Sequence, residues 1–227
     1  YNAVDFTYYG KGEFFNTYSN IEPRLGLVYL FNSSQSVKSS YSRTVQYIQQ
    51  ASNGMAGTPL DIWFTASPNV KPQLADQWAV GYFHNLLNNT IETSFEVYYK
   101  NMKNVVDFKE FANLLLNDKM EGELRIGTSE SYGFEFLTRF NNGRINGWVS
   151  YTYSRVFRNI EGINNNNPYP ASYDKPHDVS VVFNYEVSSK IIASANWVYA
   201  TGIPATFPTG RYEIMGNICL LYTSDAA

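Results

Sequence analysis

The sequence has 227 residues and a formal net charge of −3, with 17% aromatic and 16% charged residues. It contains no Lys/Arg-rich run, which excludes the electrostatic footprint of a nucleic-acid-binding protein, and no run of the roughly 20 apolar residues that a transmembrane helix requires. A single cysteine, Cys219, excludes a framework of internal disulfides. The 19 tyrosines suit strands and membrane–water interfaces, since each combines an apolar ring with a polar tip.

Eight segments alternate between apolar and polar residues with the two-residue period of a β-strand. In residues 91–101, Phe95 and Val97 fall on one face, whereas Glu92 and Glu96 fall on the other. This separation predicts strands with one apolar side and one wet side, the pattern of transmembrane β-barrels. The predicted strands are, in chain order, 21–31, 37–49, 73–85, 91–101, 130–140, 145–155, 177–187 and 191–201.

The predicted connections between these strands alternate in length. Four are tight turns, and residues 141–144 (NNGR) carry the strongest hairpin signal, because Asn and Gly adopt the positive φ that tight β-turns demand. Three are long: 50–71, 102–128 and the connection that contains 164–168. We therefore predict an all-β fold, an antiparallel up-and-down meander of an outer-membrane β-barrel, with the short turns periplasmic and the long loops extracellular.

Arg43 fits this pattern poorly. It shares its strand face with Val37 and Tyr41, and a charge at the lipid midplane costs about 2–4 kcal/mol. The sequence therefore predicts one of two arrangements: Arg43 lies near the membrane interface at the long-loop end, or a bulge moves it to the other face.

Several short stretches carry a resemblance to a known family through their order and spacing. They are IEPRL at 21–25, SVKSSYSRTVQYI at 36–48, KPQLADQ at 71–77, EVYYKNM at 96–102, YGFEF at 132–136, GWVSYTYS at 147–154 and WVYATG at 197–202. Together they resemble TonB-dependent outer-membrane receptors, in particular the subset with an N-terminal carboxypeptidase-regulatory-like domain. The resemblance extends to about Tyr212 and points to the C-terminal half of the barrel.

The resemblance implies that these eight strands are part of a large transmembrane β-barrel of about 22 strands. It places the protein in the outer membrane of a Gram-negative bacterium, surrounded by lipid. The implied function is the energised uptake of a scarce solute (a siderophore, cobalamin, a glycan or a peptide). The implied partners are the protein's own plug domain and the TonB complex. No cofactor is expected.

The resemblance and the alternation divide the chain into two parts. We interpret residues 1–218 as a partial barrel of about eight strands. Residues 219–227 break the alternation, and we interpret them as a non-native tail left by sequencing or assembly. No signal peptide is visible at Tyr1, so we expect an internal piece of a longer protein whose plug domain and TonB box lie outside these residues.

Candidate site residues form three groups. The charged residues of the wet strand faces are expected to face the lumen or the plug, where plain solvation of a wet interior is the simpler explanation for them: Glu92, Glu96, Glu135 and Arg139. Two loop groups combine aromatic rings with a carboxylate, which suits stacking on a solute and hydrogen bonding to it; packing on neighbouring residues is the alternative. They are Asp61, Trp63 and Phe64, and Tyr169, Tyr173 and Asp174.

Other functions find less support in the sequence. His84 and His177 lie at opposite strand ends, and His177 and Asp178 point to opposite faces of one strand, so no metal site is predicted. There is no G-x-S-x-G or HExxH motif, and we predict that the protein is not an enzyme. A passive porin, a small eight-stranded barrel and a soluble carbohydrate-binding β-sandwich remain as alternatives.

Overall fold

A computed structural model of the chain describes residues 16–51, 62–109, 112, 120–204, 208–214 and 217–222. The fold is almost entirely strand. The strands are β1 Arg24–Leu30, β2 Gln35–Gln46, β3 Ile48–Ala51, β4 Ile62–Thr65, β5 Gln73–Leu86, β6 Ile91–Phe108, β7 Leu124–Asn142, β8 Ile145–Ile160, β9 Tyr169–Pro170, β10 His177–Ser188, β11 Ile191–Ala200, β12 Pro208–Ile214 and β13 Asn217–Tyr222. Among the described residues, no helix is long and apolar enough to cross a membrane.

The eight predicted strands form one antiparallel sheet in the order β1-β2-β5-β6-β7-β8-β10-β11, and β9 pairs with β8. Because consecutive members of this order are also consecutive along the chain apart from short insertions, the sheet is a meander. The predicted fold class is therefore confirmed. The sheet is open, with β1 and β11 at its edges, as a part of a barrel wall must be.

The connections alternate in length as predicted: four tight turns lie at one end of the strands, and three longer connections lie at the other end. We call these two ends the short-turn end and the long-loop end. Leu87, Asn88 and Asn89 in the β5–β6 turn, and Gly143 in the β7–β8 turn, all have positive φ. A two-residue link such as that at Gly143 requires this conformation, because it matches the twist of the paired strands.

Three strands, β6, β7 and β8, run further toward the long-loop end than the alternation predicts. β6 has 18 residues and β7 has 19, so the connection between them is 109–123 and not 102–128. The register shifts between Lys103 and Val105, where Asn104 has a φ of 59° and donates a hydrogen bond to the carbonyl oxygen of Pro72 at 2.8 Å. This bulge breaks the alternation and lets the strand continue, which is why the sequence pattern ended too early.

The first long connection is also not a plain loop. Its β3 and β4 form a two-stranded antiparallel hairpin, with Gln50 opposite Trp63. Residues 52–61 of that hairpin lie outside the described residues. The C-terminal strands β12 and β13 form a second separate hairpin, and the predicted boundary at residue 219 falls within β13.

The strand register gives the main sheet two chemically different faces. One row across all eight strands is entirely aromatic or aliphatic: Tyr29, Val37, Tyr82, Phe95, Phe136, Tyr151, Val179 and Tyr199. One residue further along, the row on the opposite face is mainly polar across the six inner strands and ends in Val28 on β1 and Ala200 on β11; the inner members are Lys38, Gly81, Glu96, Glu135, Thr152 and Asp178. We call the two sides the aromatic face and the polar face.

Arg43 stays on the aromatic face, because β2 and β5 pair without a bulge. It lies opposite Asp76, and the two form a bidentate pair with Nε–Oδ1 at 2.7 Å and Nη2–Oδ2 at 2.9 Å. The Tyr41 hydroxyl donates to the same Asp76 Oδ1 at 2.7 Å. Of the two predicted arrangements, a bulge in β2 is wrong, and Arg43 lies toward the long-loop end of its strand, beside an opposite charge.

Candidate functional site

The four charged residues predicted for the wet face all lie on the polar face. Glu92 is opposite Arg139, and Glu96 is opposite Glu135, across the β6–β7 pair. Glu96 is half-buried and the other three are exposed. Like charges directly opposite each other on a sheet are unfavourable, so Glu96 and Glu135 are tolerated here because their face is open to water or to a partner. Their contact with a lumen or a plug stays a prediction.

At the short-turn end, the polar face forms an open groove of about 370 Å³. Glu92, Arg139 and Trp148 line it together with side-chain amides, including Asn146 and Asn184. Asn184 Nδ2 donates to Asn146 Oδ1 at 3.0 Å across the β8–β10 pair. The groove therefore presents charge, amide groups and one indole ring on the same side of the sheet.

The first predicted loop group is only partly described. Asp61 lies outside the described residues, as does the side chain of Phe64. Trp63 lies on β4 with 64% of its surface exposed. An exposed indole on an ordered hairpin is free to stack on a partner, which agrees with the use that the sequence suggests for it.

The second predicted loop group is assembled at the long-loop end. The Tyr169 hydroxyl donates to Asp107 Oδ2 at 3.0 Å, and Arg158 Nη1 donates to the same oxygen at 2.9 Å. The guanidinium carbon of Arg158 also lies 5.6 Å from the centre of the Tyr173 ring, within cation–π range. We call Asp107, Arg158, Tyr169 and Tyr173 the Asp107 network.

The residues of this network come from separate strands, and small side chains between them make the contact possible. Asp107 lies on β6 and Arg158 on β8, with β7 between them, a span of roughly 10 Å across the sheet. Arg158 lies opposite Ser129 of β7, whose hydroxyl donates to the carbonyl oxygen of Phe157 at 2.7 Å. Gly127, the next β7 residue on that face, has no side chain, so the Arg158 guanidinium can cross β7 and reach Asp107.

Asp107 and Arg158 differ in how fully they are hydrogen-bonded. The second carboxylate oxygen of Asp107, Oδ1, accepts from the backbone N–H of Phe108 at 2.9 Å, so both its oxygens are used. Arg158 has one buried donor, Nε, that has no hydrogen-bond partner among the described residues. A buried donor without an acceptor is unfavourable, and Arg158 Nε carries this cost while its Nη1 is bonded to Asp107.

Tyr169 is the hydroxyl donor of the network across the physiological pH range. Burial raises the pKa of Tyr169, and the negative charge of Asp107 beside it raises that pKa further. The phenol therefore stays protonated well above neutral pH. Its hydrogen bond to Asp107 does not depend on small changes in the acidity of the medium.

Asp174 bonds the 161–176 connection, which also carries Tyr169 and Tyr173, to β8. Its side chain accepts from the backbone N–H of Val156 at 2.7 Å and from Arg155 Nε at 3.0 Å. The residue is 1% exposed. Both oxygens are therefore occupied within the protein, and Asp174 supports the position of Tyr169 and Tyr173.

We expect Asp174→Ala to loosen the 161–176 connection. The change leaves the Val156 N–H and the Arg155 guanidinium without their acceptor, at a cost of about 1–3 kcal/mol. Limited proteolysis of the intact protein in outer-membrane vesicles measures the effect as faster cleavage within 161–176. Asp178→Ala, an acidic residue of the polar face in β10, is the control and should leave the cleavage rate unchanged.

Sequence reasoning missed Asp107 and Arg158. Both lie in stretches predicted as loops, 102–128 and the residues after 155, and they are separated by 51 positions. The signal that identifies them is the pairing of β6, β7 and β8 beyond the predicted strand ends. A longer β8 would have placed Arg158 on the polar face, whereas Asp107 reaches that face only because the bulge at Asn104 shifts the alternation of β6.

The two histidines have ordinary partners. His177 Nδ1 is 2.9 Å from the Tyr151 hydroxyl on the aromatic face, and His84 Nε2 is 3.2 Å from Gln35 Nε2. Within the described part of the chain, no three His, Cys, Asp or Glu side chains are placed to hold a metal ion. The arrangement as a whole offers hydrogen bonding, stacking and charge for recognition.

The comparison with known proteins agrees with this geometry. Residues 1–223 match the family described as TonB dependent receptor-like, beta-barrel. No curated protein and no solved structure matches the chain. The match confirms the resemblance seen in the sequence, and its members are receptors and transporters, not a class of enzymes. The chain therefore belongs to the β-barrel family of TonB-dependent receptors in the Gram-negative outer membrane.

Proposed function

We propose that this chain forms part of the barrel wall of a receptor that takes up a scarce solute with energy supplied through the TonB complex. The observation that carries the proposal is the continuous apolar row across all eight strands, with a mainly polar row across the six inner strands on the opposite face. A wall that separates lipid from a water-filled or plug-filled lumen requires this two-sided chemistry.

The extent of the apolar band supports a position in the membrane. On the aromatic face of β5 it runs from Trp78 to Leu86, apolar except for His84 near its lower end, a rise of roughly 26 Å. With a strand tilt of about 40°, the band spans about 20 Å along the membrane normal, close to the ~25 Å of outer-membrane barrels. The row toward the long-loop end is polar: Arg43, Asp76, Asn101 and Glu130. We place the upper edge of the lipid between this row and the Trp78 row.

In this orientation the long-loop end is extracellular and the short-turn end is periplasmic. Glu92, Glu96, Glu135 and Arg139 face the lumen and the plug, and the Asp107 network stands at the outer mouth of the lumen. Tyr173 is 55% exposed there, and the guanidinium carbon of Arg158 lies 5.6 Å from the centre of its ring. We propose that Tyr173 contacts the solute, with Asp174 and Tyr169 holding its connection in place. Trp63 is a second candidate contact, from the β3–β4 hairpin.

The test compares three strains of the source bacterium: wild type, a deletion of the intact gene, and a deletion of tonB. Mass spectrometry follows which solutes each culture removes from a defined medium. We expect a solute that only the wild type removes, and we expect plasmid-borne copies of the gene to restore its removal only when TonB is present. Removal restored without TonB would point to a passive porin and contradict the proposal, as would identical solute profiles in all three strains.

A further inference from the structure

We infer that Asp107 and Arg158 are positioning residues: together with Tyr169 they clamp the 161–176 connection to the far strand β6, and this clamp fixes Tyr173 above the polar face. The inference rests on the proposed function, because it takes the long-loop end as the end that meets the solute.

The connection is attached to the sheet at several places, and two of its attachments reach β6. Near its start, Ile163 packs against a small apolar cluster that includes Met102 and Val105 of β6. In its second half, β9 pairs with β8 and the Asp174 side chain is bonded to Val156 of β8. Between these points lies Tyr169, whose hydroxyl reaches Asp107 of β6. Of the two attachments to β6, the one at Tyr169 is the nearer to the exposed residues 172 and 173.

The attachment at Tyr169 restrains a different motion from the Asp174 bond. The β9 pairing and the Asp174–Val156 bond hold the connection to the adjacent strand β8. The Tyr169–Asp107 bond reaches β6, two places further across the sheet, so it restrains the distance between the connection and β6. Because Asp107 and Tyr169 are joined across the polar face, the connection is held over this face and not away from it.

Arg158 contacts both the Asp107 carboxylate and the exposed ring of Tyr173. Its Nη1 is bonded to the carboxylate that also receives the Tyr169 hydroxyl, and its guanidinium carbon lies near the Tyr173 ring. Loss of the Asp107 charge therefore removes the partner of Arg158 as well as that of Tyr169. The two bonds act as one unit, and removing either should release the same motion.

Two spin labels measure this motion in the intact receptor. The labels are placed at Ser172→Cys in the connection and Thr128→Cys in β7, both exposed positions, with Cys219→Ser in the background. Double electron–electron resonance gives the distribution of distances between them. We expect a narrow distribution in the parent and one that roughly doubles in width, as for a freed loop, in Asp107→Asn and in Tyr169→Phe. The double variant should be no broader than either single variant, because both break one unit.

Arg125→Gln is the matched control. Arg125 lies opposite Asp107 in the β6–β7 register, but its Nη1 donates to the backbone carbonyl oxygens of Leu124 and Gly122. It should leave the distribution narrow. All variants are compared after confirming the heat-resistant gel mobility of a folded barrel.

An unchanged width in Asp107→Asn would overturn the inference, as would equal broadening in Arg125→Gln or additive broadening in the double variant. The readout needs neither a solute nor TonB. A failure of TonB-dependent uptake would therefore leave this result standing, and the two proposals fail separately.

Discussion

Val97→Arg is expected to weaken the folding of the barrel into lipid by about 2–4 kcal/mol, the cost of an arginine on the lipid face near the bilayer midplane. Val97 lies in the middle of β6 on the aromatic face, opposite Val80 and Phe134, and 42% of its surface is exposed. No described residue on this face is placed to pair with a cation there. Denaturant titration of the intact receptor refolded in lipid vesicles measures the change in folding free energy.

Glu96→Arg is the matched control, since it introduces the same side chain one residue away but on the polar face. It also removes the like charge opposite Glu135. We expect its folding free energy to equal or exceed that of the parent. If Glu96→Arg and Val97→Arg lose the same amount of folding free energy, the two faces of the sheet meet the same medium. The assignment of the aromatic face to lipid would then be wrong.

Gly133→Val is expected to prevent correct assembly of the wall at the centre of the sheet. A Cβ at this position would meet the backbone carbonyl oxygen of Tyr153 on β8 and would lie 3.0 Å from the Tyr98 hydroxyl on β6. The β8 backbone cannot yield without shifting its pairing, and overpacking of this kind costs about 1–3 kcal/mol or more. The amount of heat-resistant folded receptor in the outer membrane should fall accordingly.

Gly26→Val tests whether the effect is specific to the close approach. Gly26 lies on β1 of the same sheet, and a Cβ there meets nothing within 4 Å among the described residues. The variant should accumulate in the outer membrane at the parental level. If both glycine variants fail equally, the loss reflects strand propensity or chain flexibility, and the close packing of β7 against β8 is not its cause.

The two-residue alternation was sufficient to predict the eight strands of the main sheet, their order and the tight turns, because one face of each of these strands is apolar. It was insufficient at the long-loop ends. There the bulge at Asn104 is followed directly by Val105 and Val106, and apolar side chains pack on both faces of the sheet. An alternation rule has no way to follow a strand through such a region.

Arg43 shows a related limit. Its position on the aromatic face looked unfavourable because the strand was read alone, whereas its partner Asp76 lies on the next strand of the sheet. Whether a charge is tolerated on that face depends on cross-strand register, which the alternation of a single strand does not contain.

The candidate site was predicted in part for the same reasons. Tyr169, Tyr173 and Asp174 are close in sequence, so one loop delivers all three. Asp107 and Arg158 reach them only through the pairing of three strands and the small residues of β7 between them. Asp174 also shows that a carboxylate beside aromatic rings in a loop can be fully used within the protein, here by the Val156 N–H and the Arg155 side chain, which composition alone does not reveal.

The most direct test of the account is the sidedness of the wall. Single nitroxide labels at positions 95, 96, 97 and 98 of the intact receptor, in native outer-membrane lipid, are exposed in turn to oxygen and to a water-soluble nickel chelate. We predict faster relaxation by oxygen at 95 and 97 and by the nickel chelate at 96 and 98. Equal accessibility at all four positions, or an alternation of the opposite phase, would contradict the assignment of the aromatic face to lipid.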